Sequence, residues 1–197
     1  PNPRSDRRFA SAHRAVAASP AVSGHRPVAL VISLAACFSS PGVWAQATGM
    51  QAVHGAATVS TQGNLTTITT QNGAGSAHSA LNWQSFGVAA GSTTQFLQPS
   101  ATSTSINRVL GNNPSAIFGN LSSNGRLVLV NPSGIAVGAG AVVDTAGFTA
   151  STLGMTQSDA VAGRLRFGSA GAVGAAAGLS VDGRILARSG DIVLIAP

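Results

Sequence analysis

The side chains best suited to acid and base chemistry in this sequence are its aspartates. Four of them follow position 48, namely Asp144, Asp159, Asp182 and Asp191. Cleavage of a sugar chain would need two carboxylates close together, or one carboxylate beside a basic group. No two of the four have a spacing that predicts such a pair, and most adjoin turn residues, where Asp is common for conformational reasons. A carbohydrate-active enzyme is therefore an alternative function and not the preferred one.

Residues that could bind a metal or a ligand are few. His54 and His78 each stand without a second ligand at metal spacing, which predicts hydrogen-bonded or solvated rings, no metal site and no cofactor. Trp83 and Phe86 could stack on the sugars of a host glycan. In a chain with only 5% aromatic residues, however, they are needed as core anchors or in a capping element. We therefore predict that both are buried.

The segment Asn131-Pro132-Ser133-Gly134 has the chemistry of a rigid corner. Asn in the first position can bond the backbone two residues on, Pro presets φ in the second, and Gly is tolerant in the fourth. The segment lies between two β-type runs, Leu127–Val130 and Ile135–Val137. It therefore predicts a type I turn where one strand ends and the next begins.

Short β-type runs separated by Gly and Pro extend over the rest of the chain. These runs are rich in β-branched residues, which favours strands over helices. We predict strands at Thr58–Ser60, Asn64–Thr70, Thr93–Gln98, Ser105–Leu110, Ala116–Leu121 and Phe148–Thr152.

A repeat is visible in the second half of the chain. Gly125, Gly147, Gly168 and Gly190 are 22, 21 and 22 residues apart, and residues 124–132 resemble residues 189–197 in class, at an offset of 65 or three such periods. Repeats of ~20–50 residues built from short strands are typical of solenoids.

The repeat predicts an all-β fold, a right-handed parallel β-helix with N-terminal capping strands. Leu127, Leu129, Ile192 and Leu194 are expected to point inward and stack in ladders. A β-sandwich is the alternative, but its antiparallel hairpins would favour Asn-Gly or Asp-Gly loops between paired strands. Because solenoids need capped ends, we expect further coils beyond Pro197.

The charge of the chain is unevenly distributed. Its net charge of +6 comes from 11 arginines and five aspartates, and five of those arginines precede position 27. From Thr48 onward six scattered arginines face four aspartates, a net charge of +2. Nucleic-acid binding requires clustered positive charge, so we predict no nucleic-acid partner.

The N-terminal region has the order of a secretory signal peptide. Arg-rich residues 1–26 precede an apolar run over residues 28–38, and Ala45-Gln46-Ala47 follows. A positive region, an apolar region of 7–15 residues and an A-x-A site are the parts of such a signal. We predict cleavage after Ala47, so that residues 1–47 are a disordered or helical signal peptide and residues 48–197 a single domain.

Two other interpretations of this region stay open. The acid-poor, Arg-rich start could belong to a transit peptide, although the apolar run disfavours this. Leu34-Ala35-Ala36-Cys37 resembles a lipoprotein processing box, which would make the protein a lipid-anchored surface adhesin with a lipidated Cys37. Cleavage after Ala47 would instead remove the only cysteine.

Several motifs occur in the order seen in one family. They are Trp83-Gln84-Ser85-Phe86, Phe96-Leu97-Gln98-Pro99-Ser100, Asn107-Arg108-Val109, Gly111-Asn112-Asn113-Pro114-Ser115-Ala116-Ile117, Leu127-Val128-Leu129-Val130-Asn131-Pro132-Ser133-Gly134-Ile135 and Phe148-Thr149-Ala150-Ser151-Thr152-Leu153. Together they resemble the N-terminal secretion domain of filamentous-haemagglutinin-type exoproteins, the secreted partners of bacterial two-partner secretion systems. The resemblance covers roughly Gln51 to Pro197.

This resemblance implies a function in export. It implies recognition by an outer-membrane β-barrel transporter with periplasmic POTRA domains. Independently of the resemblance, we expect a chain exported through the periplasm to be driven by burial of apolar ladders outside the cell, with this domain as the template for later coils. The corner Asn131-Pro132-Ser133-Gly134-Ile135 resembles the Asn-Pro-Asn-Gly hallmark of the family, with Ser133 in place of the second Asn. Asn113-Pro114 resembles the family's other Asn-Pro motif. Binding to host-surface glycans or proteins would belong to regions beyond this chain.

Overall fold

The computed structural model describes residues 46–168 and 177–197. These residues form short strands and one helix of five residues. The elements in chain order are β1 (Gln51–His54), β2 (Ala56–Gln62), β3 (Leu65–Gln71), β4 (His78–Trp83), β5 (Thr93–Leu97), β6 (Thr104–Val109), β7 (Ser115–Ile117), β8 (Asn120–Ser123), β9 (Arg126–Val130), β10 (Ile135–Val137), β11 (Val142–Thr145), β12 (Gly147–Ser151), α1 (Gln157–Val161), β13 (Leu179–Val181), β14 (Arg184–Ala187) and β15 (Ile192–Ile195).

The strands form three sheets in which successive coils lie side by side. The first sheet has the order β1-β4-β6-β9-β12-β15, the second β14-β11-β8-β5-β3-β2, and the third β13-β10-β7. All neighbours pair in parallel except β1 with β4 and β2 with β3. This is the predicted parallel β-helix, and its two antiparallel pairs are the N-terminal capping strands.

The predicted inward ladders are present in the first sheet. Leu127 pairs in register with Phe148 and Phe148 with Ile192, while Ala150 joins Leu129 to Leu194. Leu127 and Leu129 are buried, whereas Ile192 and Leu194 are 45% and 44% exposed. The difference arises because β15 is an edge strand of the sheet and has a neighbouring strand on one side only.

The predicted period of three coils between β9 and β15 is wrong. Only β12 lies between these two strands, so the offset of 65 residues corresponds to two coils. The chain leaves the stack after β12 and forms α1 before it returns at β13. Gly168 does not start a coil, because it lies in an isolated antiparallel bridge with Gly154.

The run Ala116–Leu121, predicted as one strand, is split into β7 and β8. The chain turns at Phe118-Gly119, and these two strands belong to different sheets. A Cβ atom at Gly119 would lie 2.2 Å from the carbonyl oxygen of Ser92 and 2.3 Å from that of Ala89. The corner therefore needs glycine because another backbone passes close to it.

The hairpin of β2 and β3 is a feature that the sequence patterns did not reveal. Its loop has only two residues, Gly63 and Asn64, and Gly63 has a φ of 56°. A Gly at the first loop position is a known hairpin signal, and here it takes the place of the Asn-Gly or Asp-Gly loops that were expected of hairpins. The hairpin forms one end of the second sheet.

Four large aromatic side chains, Trp83, Phe86, Phe96 and Phe148, are buried in the interior. Trp83 and Phe86 are each 1% exposed and meet edge to face, with ring centroids 5.4 Å apart, and Phe96 lies next to Phe86. The Trp83 ring nitrogen donates a hydrogen bond of 2.9 Å to Asn107 Oδ1. The core role predicted for Trp83 and Phe86 is confirmed, and their burial rules out glycan stacking by the folded domain.

A second apolar cluster lies on the outer face of the first sheet. Ala80, Ile106 and Val128 are neighbours in register there, and Met155 and Ala160 cover them. The segment around α1 therefore packs on the outer face of β4, β6 and β9 and stabilises these strands.

No helix among residues 46–168 and 177–197 has the length and apolarity to cross a membrane.

Candidate functional site

The corner Asn131-Pro132-Ser133-Gly134 forms the turn that its sequence predicts. The Ser133 N–H donates to Asn131 Oδ1 over 2.9 Å, and the Gly134 N–H donates to the Asn131 carbonyl over 3.0 Å. The first bond uses the backbone of Ser133, so the turn does not need an amide side chain at that position. Gly134 has a φ of 115°, a conformation that favours glycine.

The Asn131 side chain joins this corner to the corner of the preceding coil. Its Nδ2 donates to the Asn113 carbonyl over 3.0 Å and to Ser115 Oγ over 2.9 Å. The Ser115 N–H in turn donates to the Gly134 carbonyl over 2.9 Å. The structure therefore brings together the two Asn-Pro motifs that the sequence keeps 18 residues apart.

The predicted site residues divide into an inner and an outer group. Asn131 is fully buried and Ile135 is 2% exposed, so both belong to the scaffold of the corner. Asn113 and Pro114 are exposed, and Pro132 is half-buried. We call the exposed residues Asn112, Asn113 and Pro114, with the half-buried Pro132 and Ser133, the corner surface. None of these side chains is ionisable, so any contact made through them relies on shape and neutral hydrogen bonds.

A small cleft lies where β6 and β9 end, next to Pro132. It has a volume of about 170 Å³ and is lined by Arg108, Val109, Leu110, Val130, Pro132, Gly154 and Met155. Leu110 is 55% exposed, whereas Val130 and Met155 are buried. Apart from Arg108, this lining offers no charged side chain.

Arg108 also lies in this region, although no pattern in the sequence had indicated a role for it. Its Nε donates to the Met155 carbonyl over 2.9 Å and its Nη1 to Asn82 Oδ1 over 2.8 Å. Burial lowers the pKa of Arg108 below its ordinary value. The sequence signal that could have identified it is a charged residue inside a strand, Thr104–Val109, whose other residues are uncharged. In the structure the residues on either side of Arg108 are buried.

The two histidines, 24 residues apart in the sequence, lie next to each other in the structure. The rings of His54 and His78 stack with centroids 4.4 Å apart. His54 Nε2 shares a hydrogen bond of 2.9 Å with Ser76 Oγ, and His78 Nε2 donates to the Val161 carbonyl over 3.0 Å. The predicted hydrogen bonding is confirmed. Among the described residues no group of three or more His, Cys, Asp or Glu side chains could hold a metal ion.

Two of the four aspartates form salt bridges with arginines. Arg188 binds both carboxylate oxygens of Asp144, and these contacts hold the pKa of Asp144 below its ordinary value. The pKa of Asp159 is also lowered, first by the Thr156 hydroxyl and then by Arg164. Both carboxylates are partly exposed and, because their pKa values are lowered, stay ionised at neutral pH. Neither therefore suits the role of a proton donor.

The predicted signal cleavage site is at the edge of the structure. Ala45 lies outside the described residues. Ala47 packs against the main core, and Ser85 Oγ donates to the Gln46 carbonyl over 2.6 Å. The Thr48 N–H donates to the Ser85 carbonyl over 2.9 Å, which joins the start of the predicted mature chain to the fold.

Comparison with known families decides what this β-helix is. The family model described as "TPS secretion domain" matches residues 45–195 of this chain. The chain belongs to the TPS secretion domain family. This TPS secretion domain is the export-targeting part of a two-partner-secretion exoprotein, and proteins with such a domain are secreted through the outer membrane.

Individual relatives come from Haemophilus influenzae. A heme/hemopexin-binding protein of strain ATCC 51907 / DSM 11121 / KW20 / Rd is 39% identical over 109 residues, which is 53% of this chain and 11% of that protein. A second protein of the same name is 37% identical over 78 residues, 40% of this chain and 8% of that protein. This TPS secretion domain therefore spans about a tenth of the length of these relatives.

A solved structure is similar in fold and in sequence. The crystal structure of the HMW1 secretion domain from Haemophilus influenzae superposes with a TM-score of 0.67 and 34% sequence identity. The superposition covers 76% of this chain and 39% of that one. The β-helix described above is thus the architecture of a secretion domain.

Proposed function

We propose that this TPS secretion domain is recognised by an outer-membrane β-barrel transporter with periplasmic POTRA domains, and that the corner surface is a recognition element. The observation that carries this proposal is the linkage of two Asn-Pro corners by the buried Asn131 side chain. The linkage fixes Asn113, Pro114 and Pro132 relative to one another. A preorganised surface loses little conformational entropy on binding.

A second part of the proposal concerns the route of the chain. Residues 1–47 act as a signal peptide that is cleaved after Ala47, and residues 48–197 then pass through the periplasm to the cell surface or the medium. The arrangement of positive, apolar and A-x-A segments supports this route. The N-terminal sequence of the secreted protein, read by mass spectrometry, tests it, and a lipid on Cys37 would contradict it.

We also propose that the later coils fold outside the cell on this domain as their template, and that their folding drives export. The apolar side chains of Ile192 and Leu194 on β15 are 45% and 44% exposed, and a further coil stacked on this strand would bury them. Burial of apolar area is the downhill step available without nucleotide hydrolysis. The larger size of the relatives is consistent with such additional coils.

A non-enzymatic role fits the chemistry of the domain. Asp144 and Asp159 are bound to arginines, and their pKa values are lowered, which removes them as general acids. Adhesion to host glycans or proteins is a proposal for other parts of the exoprotein. Sugar cleavage by the purified domain that an Asp to Asn substitution abolishes would overturn the non-enzymatic role.

The recognition proposal is tested by secretion of surface variants. Asn113→Ala and Pro114→Ala change exposed side chains of the corner surface, and Asn120→Ala changes an exposed Asn at another corner and is the matched control. We expect the Asn113→Ala/Pro114→Ala double variant to be secreted at least about tenfold less than the control from cells with equal amounts of transporter. Equal secretion of the double variant and the control would refute the recognition role.

Folding must be separated from recognition in this assay. Asn131 and Gly134 hold the corner together, so replacement of both is expected to block export by a different route, loss of the folded corner. Thermal melting of each purified variant distinguishes the two routes. The surface variants should melt within a few degrees of the parent, while the Asn131/Gly134 double variant should not.

A further inference from the structure

Arg108 is an ion without a counter-ion in the described part of the chain. The two arginines that do pair, Arg164 and Arg188, bind Asp159 and Asp144. The hydrogen bonds that Arg108 donates to the Met155 carbonyl and to the Asn82 side chain both go to neutral oxygens. A guanidinium has five N–H donors, so Arg108 has donors left over for a further partner.

The surroundings of Arg108 make this free charge available to an incoming group. Arg108 is half-buried on the outer face of the first sheet and lines the cleft of about 170 Å³ beside Pro132. Its bonds to Asn82 and to the Met155 carbonyl fix the plane of the guanidinium. A fixed, partly desolvated guanidinium binds a carboxylate more strongly than an exposed, mobile one does.

The size and lining of the cleft restrict the class of ligand. Sites for whole small molecules usually have volumes of about 300–1,000 Å³, so this cleft is large enough for one side chain only. Its other walls are apolar, and Leu110 at its edge is 55% exposed. A single cation with apolar walls suits a carboxylate next to an apolar residue better than a phosphate, which is usually held by several donors.

We propose that this cleft receives an acidic side chain of the transporter, from an extended segment in which Asp or Glu adjoins an apolar residue. The acidic group pairs with Arg108, and the apolar neighbour packs on Leu110. The cleft adjoins the corner surface through Pro132, so both belong to one continuous docking area. This inference rests on the proposed function, because it names the chemistry of the partner at that site.

Peptide binding to the purified domain tests the chemistry. The probes are acetyl-Leu-Glu-Leu-amide and acetyl-Leu-Gln-Leu-amide, and the readout is the NMR signal of the Arg108 Nε–H group. We expect a saturable shift with the Glu peptide, an affinity at least about fivefold weaker with the Gln peptide, and weakening of the Glu peptide by salt. Equal affinities for the two peptides, or shifts distributed over all arginines, would overturn the proposal.

Secretion assays of the full chain test whether the transporter uses the cleft. Arg108→Gln removes the charge, Arg108→Lys keeps it, and Leu110→Ala removes only an exposed side chain. Arg126→Gln is the matched control, since Arg126 is exposed on the same face of the first sheet. We expect Arg108→Gln and Leu110→Ala to lower secretion about three- to tenfold, Arg108→Lys to lower it less, and the control to have no effect.

The outcomes of these assays separate the two proposals. If Arg108→Gln and Leu110→Ala are secreted like the control while Asn113→Ala/Pro114→Ala is not, the cleft proposal is wrong and the recognition role of the corner surface stands. If all of these variants are secreted normally, both proposals are wrong. Should Arg108→Gln fail to fold, as seen by melting, Leu110→Ala alone decides, because its side chain is largely outside the core.

Discussion

Removal of the Asn131 side chain should cost much of the stability of the corner. The substitution Asn131→Ala deletes two hydrogen bonds that Nδ2 donates and one that Oδ1 accepts. Each bond contributes about 1 kcal/mol net, which gives about 3 kcal/mol for the three. In a domain of this size, 1 kcal/mol corresponds to a shift in melting temperature of about 2–4 °C. We therefore expect Tm to fall by about 6–12 °C.

The matched control for Asn131→Ala is Ser133→Ala in the same turn. The Ser133 hydroxyl is half-buried and makes one long bond, 3.3 Å to the Gly111 carbonyl, while its backbone bond to Asn131 survives the substitution. Its loss should cost less than about 1 kcal/mol. Urea unfolding of both purified variants measures the two free energies. If Asn131→Ala is no less stable than Ser133→Ala, the two corners are not held together by the Asn131 amide.

Three further substitutions test the fold around the site. Phe148→Ala should lower the free energy of unfolding by about 3–5 kcal/mol, because it opens a cavity between two coils. Thr149→Ala should lower it by less than about 1 kcal/mol. Urea unfolding compares the two variants, and equal losses would contradict the inward ladder. Gly119→Ala should lower the free energy of unfolding by about 1–3 kcal/mol, since its Cβ would clash with two carbonyl oxygens. Gly140→Ala meets open space and should leave stability unchanged in the same assay. If Gly119→Ala is equally neutral, no other backbone passes close to that corner. Asp159→Asn should reduce the dependence of stability on pH. The pKa of Asp159 is lowered in the folded state by Thr156 and Arg164, so its stabilising effect is present above about pH 4 and is lost as the pH falls through the folded pKa. Tm measured from pH 7 to pH 2 should therefore fall less steeply in the variant, and identical profiles would show that Asp159 titrates as in the unfolded chain.

The sequence predicted those parts of the fold that depend on local chemistry. Pro and Gly restrict the backbone directly, so the turn at Asn131-Pro132-Ser133-Gly134 could be predicted from four residues. The alternation of β9 likewise predicted that Leu127 and Leu129 point inward. Both predictions concern neighbours in the chain, and such neighbours interact in any fold that contains a strand and a turn.

Contacts between coils could not be predicted in the same way. The regular spacing of Gly125, Gly147, Gly168 and Gly190 suggested four equal coils, but the chain leaves the stack after β12 to cover the outer face of the first sheet. Whether a segment continues the stack or packs outside it depends on apolar area elsewhere in the fold. The stacking of His54 on His78 and the free charge of Arg108 depend in the same way on strands distant in sequence.

If the corner surface binds the transporter, its exposed side chains must contribute to the affinity between the two proteins. The most direct measurement is the affinity of the purified domain for the periplasmic POTRA domains of its transporter, by calorimetry at fixed salt. We predict that Asn113→Ala/Pro114→Ala weakens this affinity by tenfold or more, while Asn120→Ala leaves it unchanged and both variants melt like the parent. An affinity that is the same for all three proteins would contradict this role of the corner surface.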